Sequence, residues 1–372
     1  MSFCSFYDTD ACRSCSMIDL FYGEQLNEKG ALLHKLLHPF EPKQWLKPSP
    51  SQLKGFRNKA KMVAIPSRDG IVLGLSEESS LIQCPLYDVS MQHALGQIQT
   101  WLRELKIQAY DVRVKKGELK YVLLTRSAHN GTMMLRFVLR SHGIIGRLKN
   151  GLDDLVARVP KLTVITVNIQ PIHMAILEGE EEIFLTDQTR LEENLNSIPL
   201  FIRPKSFFQT NTDIATKLYK TASEWAGESK PKIIWDLFCG VGGFALHCAT
   251  PERHIVGIEI EAEAIACAQE SAKRIGFENL TFKALDAASF GAESGERADV
   301  IIVNPPRRGL GEQLCKWLER VGSERILYSS CNAQSLAKDL ENLSGYRVNR
   351  VQLFDMFPHT AHFETLVELV KN

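Results

Sequence analysis

Four short runs in the first half of the chain alternate apolar with polar residues or crowd β-branched side chains together: Lys61–Ile65, Leu119–Thr125, Met133–Arg140 and Thr163–Ile169. Each predicts a strand, because successive side chains of an extended chain face opposite sides. Met91–Leu105 instead spaces its apolar residues at helical intervals and predicts an amphipathic helix. From Lys54 to about Gln170 these pieces make an α+β layer without a strict βαβ rhythm. The segment FIRPKSFFQTN, Phe201–Asn211, marks a change, with Pro204 interrupting the chain ahead of a helix expected to begin near Asn211 or Thr212. Beyond it the rhythm is regular. Strands are expected at Ile233–Phe238, His254–Ile260, Leu280–Leu285, Val300–Val303 and Arg325–Ser329, separated by helical stretches, and then at Val348–Phe354 and Thr365–Val370. That is the pattern of a doubly wound, mostly parallel α/β sheet, which binds ligands beyond the carboxyl ends of its strands. The last two strands follow too closely for a crossover and predict an antiparallel hairpin at the sheet edge. Two domains are therefore expected, residues 1–200 and 201–372, a division that suits 372 residues. The chain shows no internal repeat and no low-complexity segment.

Composition narrows the class. The 44% apolar and 24% charged residues are ordinary for a soluble protein, and no apolar run reaches the roughly 18 residues of a transmembrane helix. The opening MSFCSFYDTD has acidic residues and a cysteine where a signal peptide has basic and then apolar ones, so a cytoplasmic protein is expected. In that compartment nine cysteines are buried side chains, metal ligands or catalysts rather than a disulfide framework. Nothing in the sequence calls for a membrane or an obligatory protein partner. Net charge is zero, which argues against indiscriminate polyanion binding, yet the charge is unevenly spread. Arg103–Lys149 holds eleven Lys or Arg against three acidic residues, and Leu177–Glu193 holds seven acidic residues against Arg190. Arg113, Lys115, Lys116, Lys120, Arg136 and Arg140 are accordingly candidates for positioning nucleic-acid phosphates, or else an ordinary basic surface.

Chemistry is concentrated in the second half. The strand Ile233–Phe238 runs into the glycine-rich turn of DLFCGVGG, Asp236–Gly243, where backbone can approach a ligand without a Cβ in the way. Glu259, near the end of the next strand, suits the two hydroxyls of a ribose, and Asp286, after the third, is placed to face an adenine. A dinucleotide site is the competing reading, but its glycines are spaced G-x-G-x-x-G, whereas this turn reads G-V-G-G and fits S-adenosyl-L-methionine better. Asn304-Pro305-Pro306 closes the fourth strand with two ring-locked residues that present the Asn304 side chain. Arg307-Arg308-Gly309 follow, where amino-methyltransferases carry Tyr or Phe. The apolar run RILYSSCNAQ delivers Cys331 to a strand end, as a nucleophile or as a buried small hydrophobe. A second set, Cys4-x7-Cys12-x2-Cys15 with Cys84, offers four thiolates suited to zinc, to an iron-sulfur cluster or, at Cys12 and Cys15, to a redox disulfide.

NPPRRG, SSCN and the sequence His362-Phe363-Glu364-Thr365 together resemble the RNA uracil-C5-methyltransferases, and the resemblance covers essentially the whole chain. Within that family the chain looks most like the branch that modifies bacterial 23S ribosomal RNA. The resemblance implies a Rossmann-like methyltransferase domain behind an N-terminal α+β domain that binds RNA. It implies that Gln209, Phe238, Gly240, Glu259 and Asn304 contact S-adenosyl-L-methionine, that Cys331 is the nucleophile and that Glu364 is the base. It moves Cys4, Cys12, Cys15 and Cys84 to a [4Fe-4S] cluster, expected to organise the N-terminal domain, and it names a uridine in a loop of 23S ribosomal RNA as the target. Such chemistry wants positive charge or hydrogen-bond donors that favour the thiolate of Cys331, for which Arg307 and Arg308 are candidates. The same reaction on tRNA, or an inactive iron-sulfur RNA-binding protein, are the alternatives.

Overall fold

The computed structural model describes residues 3–75, 80–173, 176–287, 290 and 297–372. The chain forms two compact units, Met1–Cys15 with Leu53–Glu193, and Ser16–Gln52 with Asn194–Asn372. The expected contiguous segment 1–200 is thus interrupted, because residues 16–52 fold with the second unit. The reason is packing: in the helix Tyr22–Leu37, Leu33 and Leu37 are buried in the same apolar core as Trp235, Ile301 and Tyr328.

Strands are numbered along the chain. β1 (Gln44–Trp45) lies in the second unit. In the first, β2 (Lys59–Ser67), β3 (Gly70–Gly74), β4 (Leu119–Arg126), β5 (Met133–Leu139), β6 (Leu162–Ile169) and β7 (Glu181–Phe184) form a sheet in the order β3-β2-β4-β5-β6-β7. Its pairs are antiparallel except β5 with β6. The helix Val89–Glu104, N-capped by Asp88, buries Met91, Leu95, Ile98 and Trp101 in this unit's core. The α+β expectation therefore holds, with the helix within two residues of its predicted span. β8 (Leu191–Leu195) and β9 (Ile198–Ile202) pair with each other as the chain passes into the second unit.

The second unit is the doubly wound sheet. β10 (Ile233–Leu237), β11 (His254–Glu259), β12 (Leu280–Ala284), β13 (Val300–Val303) and β14 (Arg325–Ser330) run parallel, in the spatial order β12-β11-β10-β13-β14. The order reverses between β10 and β13, where a crevice opens past the strand ends. β15 (Tyr346–Phe354) and β16 (Glu364–Lys371) form the expected antiparallel hairpin, with β16 inserted between β14 and β15. The hairpin is not the sheet edge, because the two-residue β1 adds outside it, parallel to β15. So short a strand carries no periodicity for the sequence to show.

Candidate active site

One cavity of about 570 Å³ in the second unit is lined by Gln209, Phe238, Gly240, Glu259, Asp286, Asn304, Cys331 and Glu364, together with Phe207, Ile260, Arg307, Phe357 and His362. All seven residues expected to act on substrate or methyl donor therefore meet in one place. They come together because β10, β11, β13 and β14 all end there, and β16 begins there.

The donor side is built by the turn after β10. Phe238 has φ of 68° and Gly240 of 54°, so the chain takes two left-handed steps within three residues. The strain at Phe238, a residue with a Cβ, is the kind held in place at functional sites. Gly242 has φ of 86°, and a Cβ there would also sit 2.9 Å from Leu246 Cδ1 and 3.2 Å from the Ala268 Cβ, so glycine suits the turn where it packs on the helix Gly243–His247. Glu259 is fixed by three backbone donors: the Gly240 N–H on one oxygen at 3.2 Å, and those of Ile260 and Glu261 on the other at 2.8 and 3.1 Å. A carboxylate locked in one orientation can offer its remaining lone pairs to paired hydroxyls. Asp236 is fully buried behind this turn, accepts the Ala245 N–H at 2.9 Å, and leaves its other oxygen without a hydrogen-bond partner among the described residues. Burial pushes its carboxyl up to about 8, opposed by the Ala245 N–H and reinforced by Glu259. Sequence reasoning assigned Asp236 no role. Its position heading DLFCG, at the end of a buried strand, was the available signal.

The acceptor side is set by sheet register. Ser330 of β14 pairs with Thr365 of β16, so Cys331 and Glu364 are the next residues beyond the end of that ladder, near enough for the Glu364 charge to act on the thiol. Glu364 is buried, with the Ser329 hydroxyl donating to Oε1 at 2.5 Å. Burial raises its carboxyl to about 7, and the Ser329 bond holds it below a still higher value. Cys331 is half-buried. Burial and then the charge of Glu364 raise its thiol above the ordinary value, while Arg307 acts against both as a nearby positive charge and hydrogen-bond donor. The expectation that the surroundings favour thiolate is thus met only by Arg307; at rest the opposing effects prevail. Arg307 is held through its carbonyl, which accepts from the Asn332 side chain at 3.0 Å. The rest of that turn is pinned by Asp339, whose carboxylate accepts the N–H groups of Leu310 and Gly311 at 2.7 and 3.1 Å and the Tyr328 hydroxyl at 2.6 Å. Asp339 lies on the helix Ala333–Glu341, far enough along the sequence from NPPRRG that no motif pointed to it.

The first unit treats its expected residues differently. Lys120 is buried, bonded to Gln170 and to the Ile172 carbonyl at 2.7 Å. Arg136 is buried between Glu182 and Glu178, at 2.5 and 3.1 Å. Arg140 pairs with Glu118 at 2.6 Å. As phosphate ligands Lys120 and Arg136 are corrected: both are satisfied internally, and Arg140 is already paired. Arg113, Lys115 and Lys116 remain exposed, Arg113 beside Asp111 in a looser ion pair at 3.7 Å, among exposed Val112 and Val114 on a hairpin tip closed by the Asp111 N–H to the Lys116 carbonyl.

Cys4, Cys12, Cys15 and Cys84 lie in this unit, and none of them is in a disulfide among the described residues. They are close enough to feel one another: after burial, the charges of Cys84, Cys12 and Cys4 push Cys15 up to about 12, and burial with Cys4 and Cys12 pushes Cys84 to about 11. Four clustered cysteine sulfurs suit a cationic centre in donor type. Among the described residues, however, no three His, Cys, Asp or Glu side chains are arranged to hold a metal ion. No helix among them is long and apolar enough to cross a membrane.

Comparison with known proteins decides the family. A protein of Shewanella halifaxensis named 23S rRNA (uracil(747)-C(5))-methyltransferase RlmC is 51% identical over 99% of both chains. The chain belongs to the RNA uracil-C5-methyltransferase family. A relative of the same name from Escherichia coli O157:H7 is 50% identical, again over 99% of each chain. The family model described as tRNA (Uracil-5-)-methyltransferase matches residues 196–372. Among solved structures, the tRNA (uracil-54, C5)-methyltransferase of Pyrococcus abyssi in complex with S-adenosyl-L-homocysteine covers 96% of this chain and 85% of its own, at 26% identity and a TM-score of 0.79. This member of the family is therefore an S-adenosylmethionine-dependent methyltransferase with the family's Rossmann-like α/β fold.

Proposed function

We propose that the protein methylates carbon 5 of a uridine in 23S ribosomal RNA, with Cys331 as nucleophile and Glu364 as base. The register that brings these two residues to the end of one ladder, inside one cavity and beside Asn304 and Glu259, carries the reading. The names of the full-length relatives support the choice of ribosomal RNA, and such a substrate puts the enzyme at work in the cytoplasm.

S-adenosyl-L-methionine supplies an electrophilic methyl group, held by Gln209, Phe238, Gly240, Glu259 and Asn304, with Asp286 toward the adenine. Carbon 5 of uracil is too weak a nucleophile to take that methyl unaided. Cys331 Sγ, having lost its proton to solvent, bonds to carbon 6, and the electron pair of the carbon 5–carbon 6 double bond moves toward the carbonyl. Carbon 5 becomes carbanion-like and takes the methyl group as the methyl–sulfur bond of the donor breaks and S-adenosyl-L-homocysteine is left. Glu364 then takes the proton from carbon 5, the double bond re-forms, and the sulfur leaves carbon 6. Arg307 favours the thiolate, and its effect grows once Glu364 is protonated and its repulsion is gone. The target uridine must be turned out of its stack to reach this cavity, which is easiest in a loop. We assign phosphate contact in the first unit to Arg113, Lys115 and Lys116, and a [4Fe-4S] cluster to Cys4, Cys12, Cys15 and Cys84, which would anchor Cys15 and Cys84 to one centre.

The test is transfer of labelled methyl groups to purified 23S ribosomal RNA and to bulk tRNA from cells lacking the enzyme, followed by mass mapping. Stoichiometric 5-methyluridine in the ribosomal RNA alone is expected; modification of tRNA alone overturns the substrate assignment. Anaerobic purification is expected to give four irons and four sulfides per chain, by the cluster's composition. Stoichiometric zinc without iron overturns the cluster.

A further inference from the structure

β15 and β16 are joined by the nine-residue segment Asp355–Phe363, whose ends are fixed because Phe354 pairs with Glu364. The ladder does not hold the middle of that segment, yet the middle supplies Phe357 and His362 to the cavity, and Glu364 follows directly. Something else must fix it. The helix Tyr22–Leu37 does so with one stripe of side chains, Tyr22, Gln25 and Lys29, spaced three and four residues apart and so on one face.

The contacts are specific. Lys29 Nζ donates to Asp355 Oδ1 at 2.6 Å and to the Phe357 carbonyl at 3.1 Å. The Tyr22 hydroxyl donates to Asp355 Oδ2 at 2.9 Å and accepts the Ser51 N–H at 2.7 Å. Gln25 Oε1 accepts the His359 N–H at 2.8 Å, and Met17, just before the helix, donates its N–H to the His359 carbonyl at 2.9 Å. His359 has φ of 67°, a left-handed conformation that a residue with a Cβ keeps only when its surroundings impose it. The Lys29 and Asp355 side chains are 1% and 0% exposed. A buried ion pair is a poor stabiliser, because apolar residues of similar volume commonly do as well or better. Further along the same helix, where Leu33 and Leu37 meet the core, the chain uses apolar residues. The polar stripe is confined to the part that faces the loop.

We propose that Lys29, aided by Tyr22 and Gln25, is a positioning residue that sets the loop Asp355–Phe363, and through it the register of Phe357, His362 and Glu364 against the target base. Lys29 touches neither substrate nor donor; it acts through the Asp355 carboxylate and the Phe357 carbonyl. The inference rests on the reading of Glu364 as the base. A shift of about 1 Å in such a group lowers turnover by up to about a hundredfold.

The experiment compares Lys29→Met, Tyr22→Phe and the double variant Lys29→Met/Asp355→Leu with the unaltered full chain. It measures kcat, KM for RNA, the S-adenosylmethionine Kd, the melting temperature and the fraction of RNA covalently captured on quenching. Lys29→Met is expected to lower kcat about ten- to a hundredfold, leave KM and the donor Kd within about twofold, and raise the captured fraction, since attack by Cys331 from β14 outlasts removal of the proton. The double variant, with no unpaired buried charge, is expected to recover the melting temperature but not kcat. Recovery of both overturns the proposal and reduces the pair to a fold element. Should Lys29→Met fail to fold, Tyr22→Phe decides: a several-fold loss of kcat at unchanged melting temperature supports the proposal, and unchanged kcat overturns it. Glu364→Gln run alongside separates the two readings. If it captures no RNA, the base assignment fails, whereas a kcat loss in Lys29→Met at constant KM stands independently.

Discussion

Arg136 in the first unit and Glu364 in the second are both buried ionisable side chains, and their surroundings differ in one respect. Arg136 has two carboxylates against it, Glu182 and Glu178. Glu364 has a neutral hydroxyl, from Ser329, and lies near a thiol. A buried group with its countercharge stays charged and ties strands together: Arg136 on β5 reaches Glu182 on β7, across β6. One with only a neutral donor is left close to the point where it gains or loses a proton, and Glu364 stands at about 7. Burial alone does not mark a reactive group, and neither does a missing countercharge, which Asp236 and Lys120 share among the described residues; a missing countercharge at the wall of the cavity does.

The largest effect expected from that contrast lies at Cys331 and Glu364. Cys331→Ala is expected to abolish both methyl transfer and covalent capture of RNA. Glu364→Gln, which keeps the shape and removes the base, is expected to lower turnover at least a hundredfold while captured RNA accumulates. The pH dependence follows from the sign of the shift. Glu364 is protonated, and so unable to accept, below about 7; because it acts after the methyl transfer, kcat should rise with pH up to that point. A flat profile between pH 5 and 8 would show that no carboxyl with a raised pKa limits the reaction.

Arg136→Met tests the other half. It leaves Glu182 buried at 5% exposure and without its guanidinium, and should cost about 3 to 5 kcal/mol in unfolding free energy. Methyl transfer at a temperature where the variant is folded should stay within about twofold, read by denaturant titration beside an activity assay. If activity falls with stability unchanged, Arg136 belongs with the substrate contacts after all.

The pocket was legible in the sequence and the basic face was not, for a physical reason. Glu259, Asn304 and Cys331 follow or close parallel strands, and a doubly wound sheet brings all such ends to one crevice, so spacing along the chain determines position in space. Glu364 came from the family resemblance alone: the closeness of the last two predicted strands suggested that β15 and β16 pair, but not that β16 inserts beside β14 and so brings Glu364 to the end of that strand. Lys120 and Arg136 carry no such constraint. Both sit on strands whose neighbours two strands or a loop away supply Gln170 and Glu182, and a charge count cannot tell an inward from an outward side chain. The same limit hid the helix Tyr22–Leu37, whose buried stripe is polar in its first half and apolar in its second, so that no single hydrophobic periodicity runs through it.

Arg307 lies between the extremes of the comparison: exposed itself, it provides a countercharge to a half-buried thiol. Arg307→Leu should raise the thiol further and lower the single-turnover rate of adduct formation about tenfold at pH 7, a factor equal to one unit of displaced titration. The deficit should hold while the pH is below the raised range of the thiol and shrink only above the ordinary thiol range, where thiolate forms without help. A deficit that persists unchanged there would assign Arg307 to RNA binding instead.

The smallest effect belongs to the exposed charges. Arg113, Lys115 and Lys116 stand on an exposed tip, so replacing all three by Ala should leave the melting temperature unchanged and weaken RNA binding about tenfold at low salt. Because each phosphate contact releases a counterion, the dependence of log affinity on log salt should flatten by about 2 if all three touch phosphate. Two fluorescence-anisotropy titrations, at low and at high salt, give that slope. Equal slopes for the variant and the unaltered chain would move the RNA contact elsewhere, whereas a flattened slope would complete the gradient: paired buried charge holds the fold, unpaired buried charge at the cavity wall carries the chemistry, and exposed charge holds the substrate.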